Sequence, residues 1–145
     1  MAKGNRGGKR ASGGDFANSL VKDTVYHGTN IPNITTFSTS GKESNGAIFF
    51  ANDIDYAEEE AYVKGSSTDN KYMYSVKLNI QNPMKVTLTG SDFADPTVER
   101  KYIQQARKAG KDAVIFDNGE TGIFYQEFYA VFDPKQIKIN GVKKI

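Results

Sequence analysis

The 145-residue chain has no cysteine, no tryptophan, one histidine and four prolines. Without cysteine there is neither a disulfide nor a thiol nucleophile, and every cysteine-based metal site is excluded. A single histidine makes a zinc site built from histidine and carboxylates improbable, and no metal is expected. No apolar run approaches the roughly 18–20 residues that cross a bilayer, so no membrane partner is expected. The opening MAKGNRGGKR lacks the apolar middle of a secretory signal. Neither GxGxxG nor GxxxxGK[ST] occurs, which removes the usual nucleotide-loop signatures. No GxSxG elbow is present for a serine nucleophile.

Charge is unevenly placed. Lys3, Arg6, Lys9 and Arg10 fall in the first fourteen residues with no acid among them, leaving 15 basic against 17 acidic residues in the remainder. Residues 1–20 are expected to form a disordered, basic, Gly-rich arm, and residues 21–145 a single domain. The arm reads either as a solvated tail or as a contact for nucleic acid.

Along the domain, DTVYHGT reads as a strand and NIPNITTFSTSGKESNG as a loop. AIFFA has strand length, and NDIDYAEEEAYVKG is helical, capped by Asn52 or Asp53. KYMYSVKLNI alternates, with Tyr72, Tyr74, Val76, Leu78 and Ile80 on one face, and MKVTL follows as a further strand. DPTVERKYIQQARKAG has an Asp95 cap, Pro96 at its first helical position and Gly110 at its stop; Val98, Tyr102, Ala106 and Ala109 are expected to line one side. DAVIFD and FYQEFYAVF are strands, and IKINGVKKI predicts a small hairpin at Asn140-Gly141. The irregular succession of strands and helices predicts an α+β fold with mixed or antiparallel sheets and two main helices.

Two polar residues stand out on the strands. His27 closes the first, beside Gly28, where backbone can be approached closely, and the Thr29 hydroxyl. By itself it reads first as a partly buried structural histidine bonded to backbone, and second as a functional one. Glu127 interrupts an aromatic strand, where a core-facing carboxylate is costly and a solvent-facing one is ordinary.

The order VYHGT, GAIFFAND, LNIQNPMKV, YQEFYAVFDPKQIKI resembles the ADP-ribosyltransferases of the diphtheria-toxin and PARP class. It is most similar to the small domains of this type found in phage and mobile-element polyvalent proteins. The resemblance covers roughly residues 23–140. It implies a split β-sandwich and a toxin-like NAD-dependent mono-ADP-ribosyltransferase, phage-encoded and acting in the cytoplasm of a bacterial host cell. NAD would be the donor, and the acceptor a macromolecule, protein in preference to nucleic acid. It further implies that His27 bonds a ribose hydroxyl of NAD and that Gly28 and Thr29 border the nicotinamide amide. Phe49, with Tyr62, would stack on the nicotinamide ring, and Glu127 would stabilise the cationic sugar.

The chain departs from the family pattern at two places. Phe49 replaces a tyrosine, and the helical position of a second tyrosine holds Glu60, with Tyr62 two residues later. The family's glutamate column falls on Phe128, one residue after Glu127. A one-residue slip reverses the face of a strand residue, so a β-bulge between Glu127 and Asp133 is expected to restore it. These departures leave open an alternative, a non-catalytic nucleotide- or nucleic-acid-binding module on the same fold.

Overall fold

The computed structural model describes residues 16–38, 46–64 and 70–145; most of the basic arm and parts of the loops at 39–45 and 65–69 lie outside them. In chain order the elements are β1 (Val25–Thr29), β2 (Ile48–Ala51), α1 (Ile54–Lys64), β3 (Tyr72–Leu78), β4 (Pro83–Thr87), α2 (Pro96–Lys108), β5 (Ala113–Asp117), β6 (Glu127–Val131) and β7 (Ile137–Lys144). Among the described residues seven strands form one mixed sheet in the order β4-β5-β6-β2-β1-β3-β7, in which β4 and β5 run parallel and the other neighbours antiparallel. β1 and β2 share a single register pair, Tyr26 with Ala51, so the two halves of the sheet are joined weakly at its centre. The α+β class expected from the sequence is the one observed.

Period-2 alternation divides the side chains between two cores. One face carries both helices: Ala51, Val114, Phe116, Phe128 and Ala130 pack there with Ile103 and Ala106 of α2. The other face packs against neither α1 nor α2 and is covered by loops. There Val25, Ile48, Phe50, Tyr74, Val76, Tyr129 and Val131 pack against Phe37, with Val21 and Ile34 beside them. Tyr74 fixes this cover, its hydroxyl donating to the Ile31 carbonyl (2.8 Å) and accepting from the Ile34 amide (3.0 Å).

The chain enters the domain earlier than expected. Ser19 is 2% exposed, and its hydroxyl accepts from the Ile80 amide (2.9 Å), while the Leu20 amide bonds the Ile80 carbonyl (2.7 Å). Residues 16–20 therefore belong to the domain. The expected terminal hairpin is also corrected. Asn140 and Gly141 remain within β7, which pairs with β3 along its whole length and absorbs the extra residue in a bulge opposite Ser75/Val76. Seven register pairs with β3 outweigh the local preference of Asn-Gly for a turn.

The helices follow their sequence signals. Asp95 caps α2, accepting from the Thr97 amide (2.8 Å), with Pro96 at the first position. Its buried side is Glu99, Ile103 and Ala106, with Val98 and Tyr102 partly buried, whereas Ala109 is the exposed C-cap. α1 crosses β1 so closely that a Cβ on Gly28 would stand 1.8 Å from the Ala57 carbonyl oxygen and 2.8 Å from the Ala61 nitrogen. Glycine is needed here for the close approach of two backbones.

Two titratable groups, partly buried His27 and buried Glu99, are shifted in opposite directions. The His27 ring packs edge-on to Phe37 (centroids 5.0 Å) and tilted against Phe50 (5.5 Å), and burial with the nearby Lys64 lowers its pKa from 6.5 to about 4. Glu99 is 7% exposed with Asp95 and Glu60 nearby; burial, then these two carboxylates, raises its pKa from 4.5 to about 7.

Gly28→Ala should destabilise the fold by about 3 kcal/mol or more, because neither backbone atom can yield without moving α1; denaturant titration measures this, and a loss under about 1 kcal/mol would contradict it. The pH dependence follows from linkage. The unfolded histidine is protonated below pH 6.5 and the folded one only below about 4, so His27 withdraws stability as pH falls, about 2 kcal/mol between pH 7 and 5. Glu99 is ionised above 4.5 when unfolded and only above about 7 when folded, so it withdraws about the same amount as pH rises over that range. With these two terms offsetting, His27→Gln should be more stable at pH 5 than at pH 7, and Glu99→Gln the reverse. Parallel stability–pH curves for the two variants would refute both assignments.

Candidate active site

The site is built around β6. Its register is unbroken on both sides: Phe128, Tyr129, Ala130 and Val131 pair with β2, and Glu127 through Val131 pair with β5. The expected bulge is absent from this stretch, and the face of Glu127 follows from simple alternation. Glu127 shares the loop-covered face with Tyr129 and Val131, while Phe128 turns to the helices, stacked on Phe93 (4.6 Å) and tilted against Tyr56 (4.7 Å). Glu127 therefore lies on the same face as His27 without any bulge.

The turn before β6 is tied down by polar groups. The Asn118 side-chain oxygen accepts from the Glu120 and Gln126 amides (both 3.1 Å), and its nitrogen donates to the Phe124 carbonyl (2.8 Å). Asn52 holds the backbone of Glu127 twice. Its side-chain oxygen accepts from the Glu127 amide (2.9 Å), and its own amide donates to the Glu127 carbonyl (3.0 Å). The Glu127 main chain is thus fixed by β5, the turn and the end of β2.

The carboxylate itself receives two hydroxyls. Tyr125 donates to Oε2 and Tyr129 to Oε1. Burial and then these hydrogen bonds raise both phenols well above their ordinary range, so both remain protonated donors. The group faces a cavity of about 380 Å³ on the loop-covered side. Asp117, directly across from Glu127 in β5, lines it and accepts from the Thr87 hydroxyl and the Gly119 amide. Asp23, Lys22 and Lys85 complete the charged part of its wall. It holds the oriented carboxylates of Glu127 and Asp117 in a wall shared with Lys22, whose ammonium donates to the Ala17 carbonyl (2.7 Å), and Lys85, a mixed lining suited to a ligand with both cationic and anionic parts.

His27 stands apart from this cavity, whose lining does not include it. Its Nδ1 lies 2.7 Å from the Phe49 carbonyl, and as the ring is neutral at pH 7 the Nδ1–H donates and Nε2 is left as an acceptor. On that face His27 adjoins Phe50, Phe50 pairs with Tyr129, and Tyr129 reaches Glu127. The other expected site residues are elsewhere. The Gly28 carbonyl accepts from Lys64 Nζ (2.8 Å), and buried Thr29 accepts from the Ile31 amide (3.3 Å). Phe49 lies on the helix-bearing face, and Tyr62 is 50% exposed on α1 with Lys71 Nζ 5.6 Å from its ring centroid. The structure thus brings Glu127 and His27 to one face and places Phe49 on the other.

Sequence reasoning missed the tyrosine pair and Asn118. The pair had a signal: in YQEFY, Tyr125, Glu127 and Tyr129 alternate, which puts all three on one face of an extended chain. No comparable pattern marks Asn118 or Glu99.

Among the described residues no helix is long and apolar enough to cross a membrane. No curated protein matches the chain. Among solved structures, a chain of the M. tuberculosis MbcT–MbcA toxin–antitoxin complex is similar, with a TM-score of 0.54 at 12% identity, covering 93% of each chain. This likeness concerns the fold. The model of the family described as ADP-ribosyltransferase in polyvalent proteins matches residues 22–141, nearly all of the domain that carries Glu127 and His27, and the chain belongs to that family.

Proposed function

We propose that the protein is an NAD-dependent ADP-ribosyltransferase that passes ADP-ribose to a macromolecular acceptor, with Glu127 as its catalytic carboxylate. The observation that supports this best is the Glu127 carboxylate, held by two protonated tyrosines at an open cavity. Breaking the bond between the ribose and nicotinamide sends the electron pair out with nicotinamide and leaves positive charge on the sugar. The acceptor then supplies an electron pair to the same carbon and loses a proton. A carboxylate that is already oriented stabilises the cationic stage without reorganising. Lys22 and Lys85 would attract the pyrophosphate of NAD, and His27, neutral and fixed by Phe49, would offer Nε2 to a hydroxyl as a positioning residue.

A second reading has its own support. Phe49 and Phe128 pack on the helix-bearing face, away from Glu127, as expected of a nucleotide-binding module without chemistry. It predicts NAD binding without nicotinamide release.

Nicotinamide release measured with the full chain separates the two. The wild type should release nicotinamide, Glu127→Gln should be slower by about 10²–10³-fold with NAD affinity nearly unchanged, and Tyr129→Phe should lose roughly tenfold. Equal rates for wild type and Glu127→Gln would remove Glu127 from the chemistry, and binding with no release by the wild type would favour the second reading.

A further inference from the structure

The antiparallel pair β3–β7 and the residues that flank it are charged unlike the rest of the domain. Residues 71–81 and 134–145 contain six lysines and no acidic residue, whereas the other residues from 15 onward contain nine basic and 17 acidic ones. The domain is therefore an acidic body with one basic ribbon along its edge, since β7 ends the sheet. Register places Lys77 directly opposite Lys138, and Lys143 opposite Met73, on the helix-bearing side of the sheet, whereas Lys144, opposite Tyr72, lies on the loop-covered side that also holds Glu127. Like charges facing each other across a ladder are destabilising, and no acid in either strand relieves them. Lys77 Nζ instead donates to the Lys22 carbonyl (2.6 Å). Lysines on an edge strand also discourage edge-to-edge pairing, but that does not explain Lys77, which belongs to the inner strand.

The ribbon connects to the cavity. The segment that receives Lys77 at Lys22 is pinned to Ile80 through Ser19 and Leu20, and it continues as the cavity wall at Leu20–Asp23. The basic first fourteen residues join the domain at this same segment. Arm, ribbon and cavity thus meet at residues 16–23.

We infer that the β3–β7 ribbon is a docking strip for a nucleic-acid strand, which it would present to the Glu127 cavity as the acceptor. The assignment of nucleic acid as acceptor rests on the transferase reading proposed above; the docking itself does not. Lys138, Lys143 and Lys144 are exposed along an eight-residue edge strand about 26 Å long, which can follow several phosphates of a strand laid along the edge. Lysine ammonium groups contact phosphate as point charges, so binding is independent of sequence and steeply dependent on salt.

The test is fluorescence anisotropy of the full chain with labelled single-stranded and duplex oligonucleotides, between 50 and 200 mM salt. The wild type should bind at least one of them, with affinity falling as salt rises. The triple variant Lys138→Glu, Lys143→Glu, Lys144→Glu should bind at least tenfold more weakly, with a shallower salt slope and an unchanged circular dichroism spectrum. A control pair on α2, Lys101→Glu with Lys108→Glu, should stay within about threefold of wild type. Binding that is salt-independent, that survives in the ribbon variant, that is lost only when residues 1–14 are deleted, or that polyglutamate matches would overturn the docking strip. Transfer of label from NAD to the oligonucleotide is scored separately. Docking without transfer in a protein that releases nicotinamide would overturn nucleic acid as acceptor, whereas a protein that releases none has failed at the chemistry and not at the ribbon.

Discussion

The unbroken register of β6 between β2 and β5 decides what this molecule can do. With neighbours on both sides, the strand cannot slip by one residue without turning Tyr129 and Val131 out of one core and Phe128 and Ala130 out of the other. The cost of exchanging two sets of buried side chains is large, so the direction of the Glu127 carboxylate is fixed by hydrophobic burial, not by any interaction of its own. Its tyrosine partners then come at no further cost, since residues two positions away on either side share its face. A carboxylate on a half-buried strand is normally expensive to orient; here the cores orient it.

The two faces of the sheet consequently have different characters. The helix-bearing face is closed by aromatic stacking of Phe93, Phe128 and Tyr56, with Glu99 buried among other acids. The loop-covered face holds the neutral His27 in an aromatic cage and opens into the cavity beside Glu127. Gly28 belongs to the same design from behind. Because α1 rests on its bare backbone, β1 is clamped where it joins β2 by one register pair, and the weak centre of the sheet is reinforced by a helix.

Much of this was legible in the sequence. Caps, prolines and alternation located the elements, and the ordered motifs pointed to a family that the domain does belong to. Legibility ended where a residue's partners are distant in sequence. Asn140-Gly141 carries a turn signal, but pairing with β3 keeps it extended and moves the irregularity to a bulge there, while β6, where a bulge was expected, has none. Alternation says which residues of one strand share a face, not which face of another strand they share. That is why Phe49 and Glu127 could be grouped in the sequence although the sheet separates them. Charge segregation was visible only for the arm; the basic ribbon needs the knowledge that residues 71–81 and 134–145 are neighbours.

The central claim is that NAD is handled on the loop-covered face at Glu127. Nuclear magnetic resonance of the eight ring-labelled tyrosines, titrated with NAD, tests it most directly because the tyrosines report both faces. The account predicts that Tyr125 and Tyr129 shift first and furthest, with Tyr56 and Tyr62 little changed. Shifts centred on Tyr56, with Tyr125 and Tyr129 unmoved, would place the ligand on the helix-bearing face and contradict it.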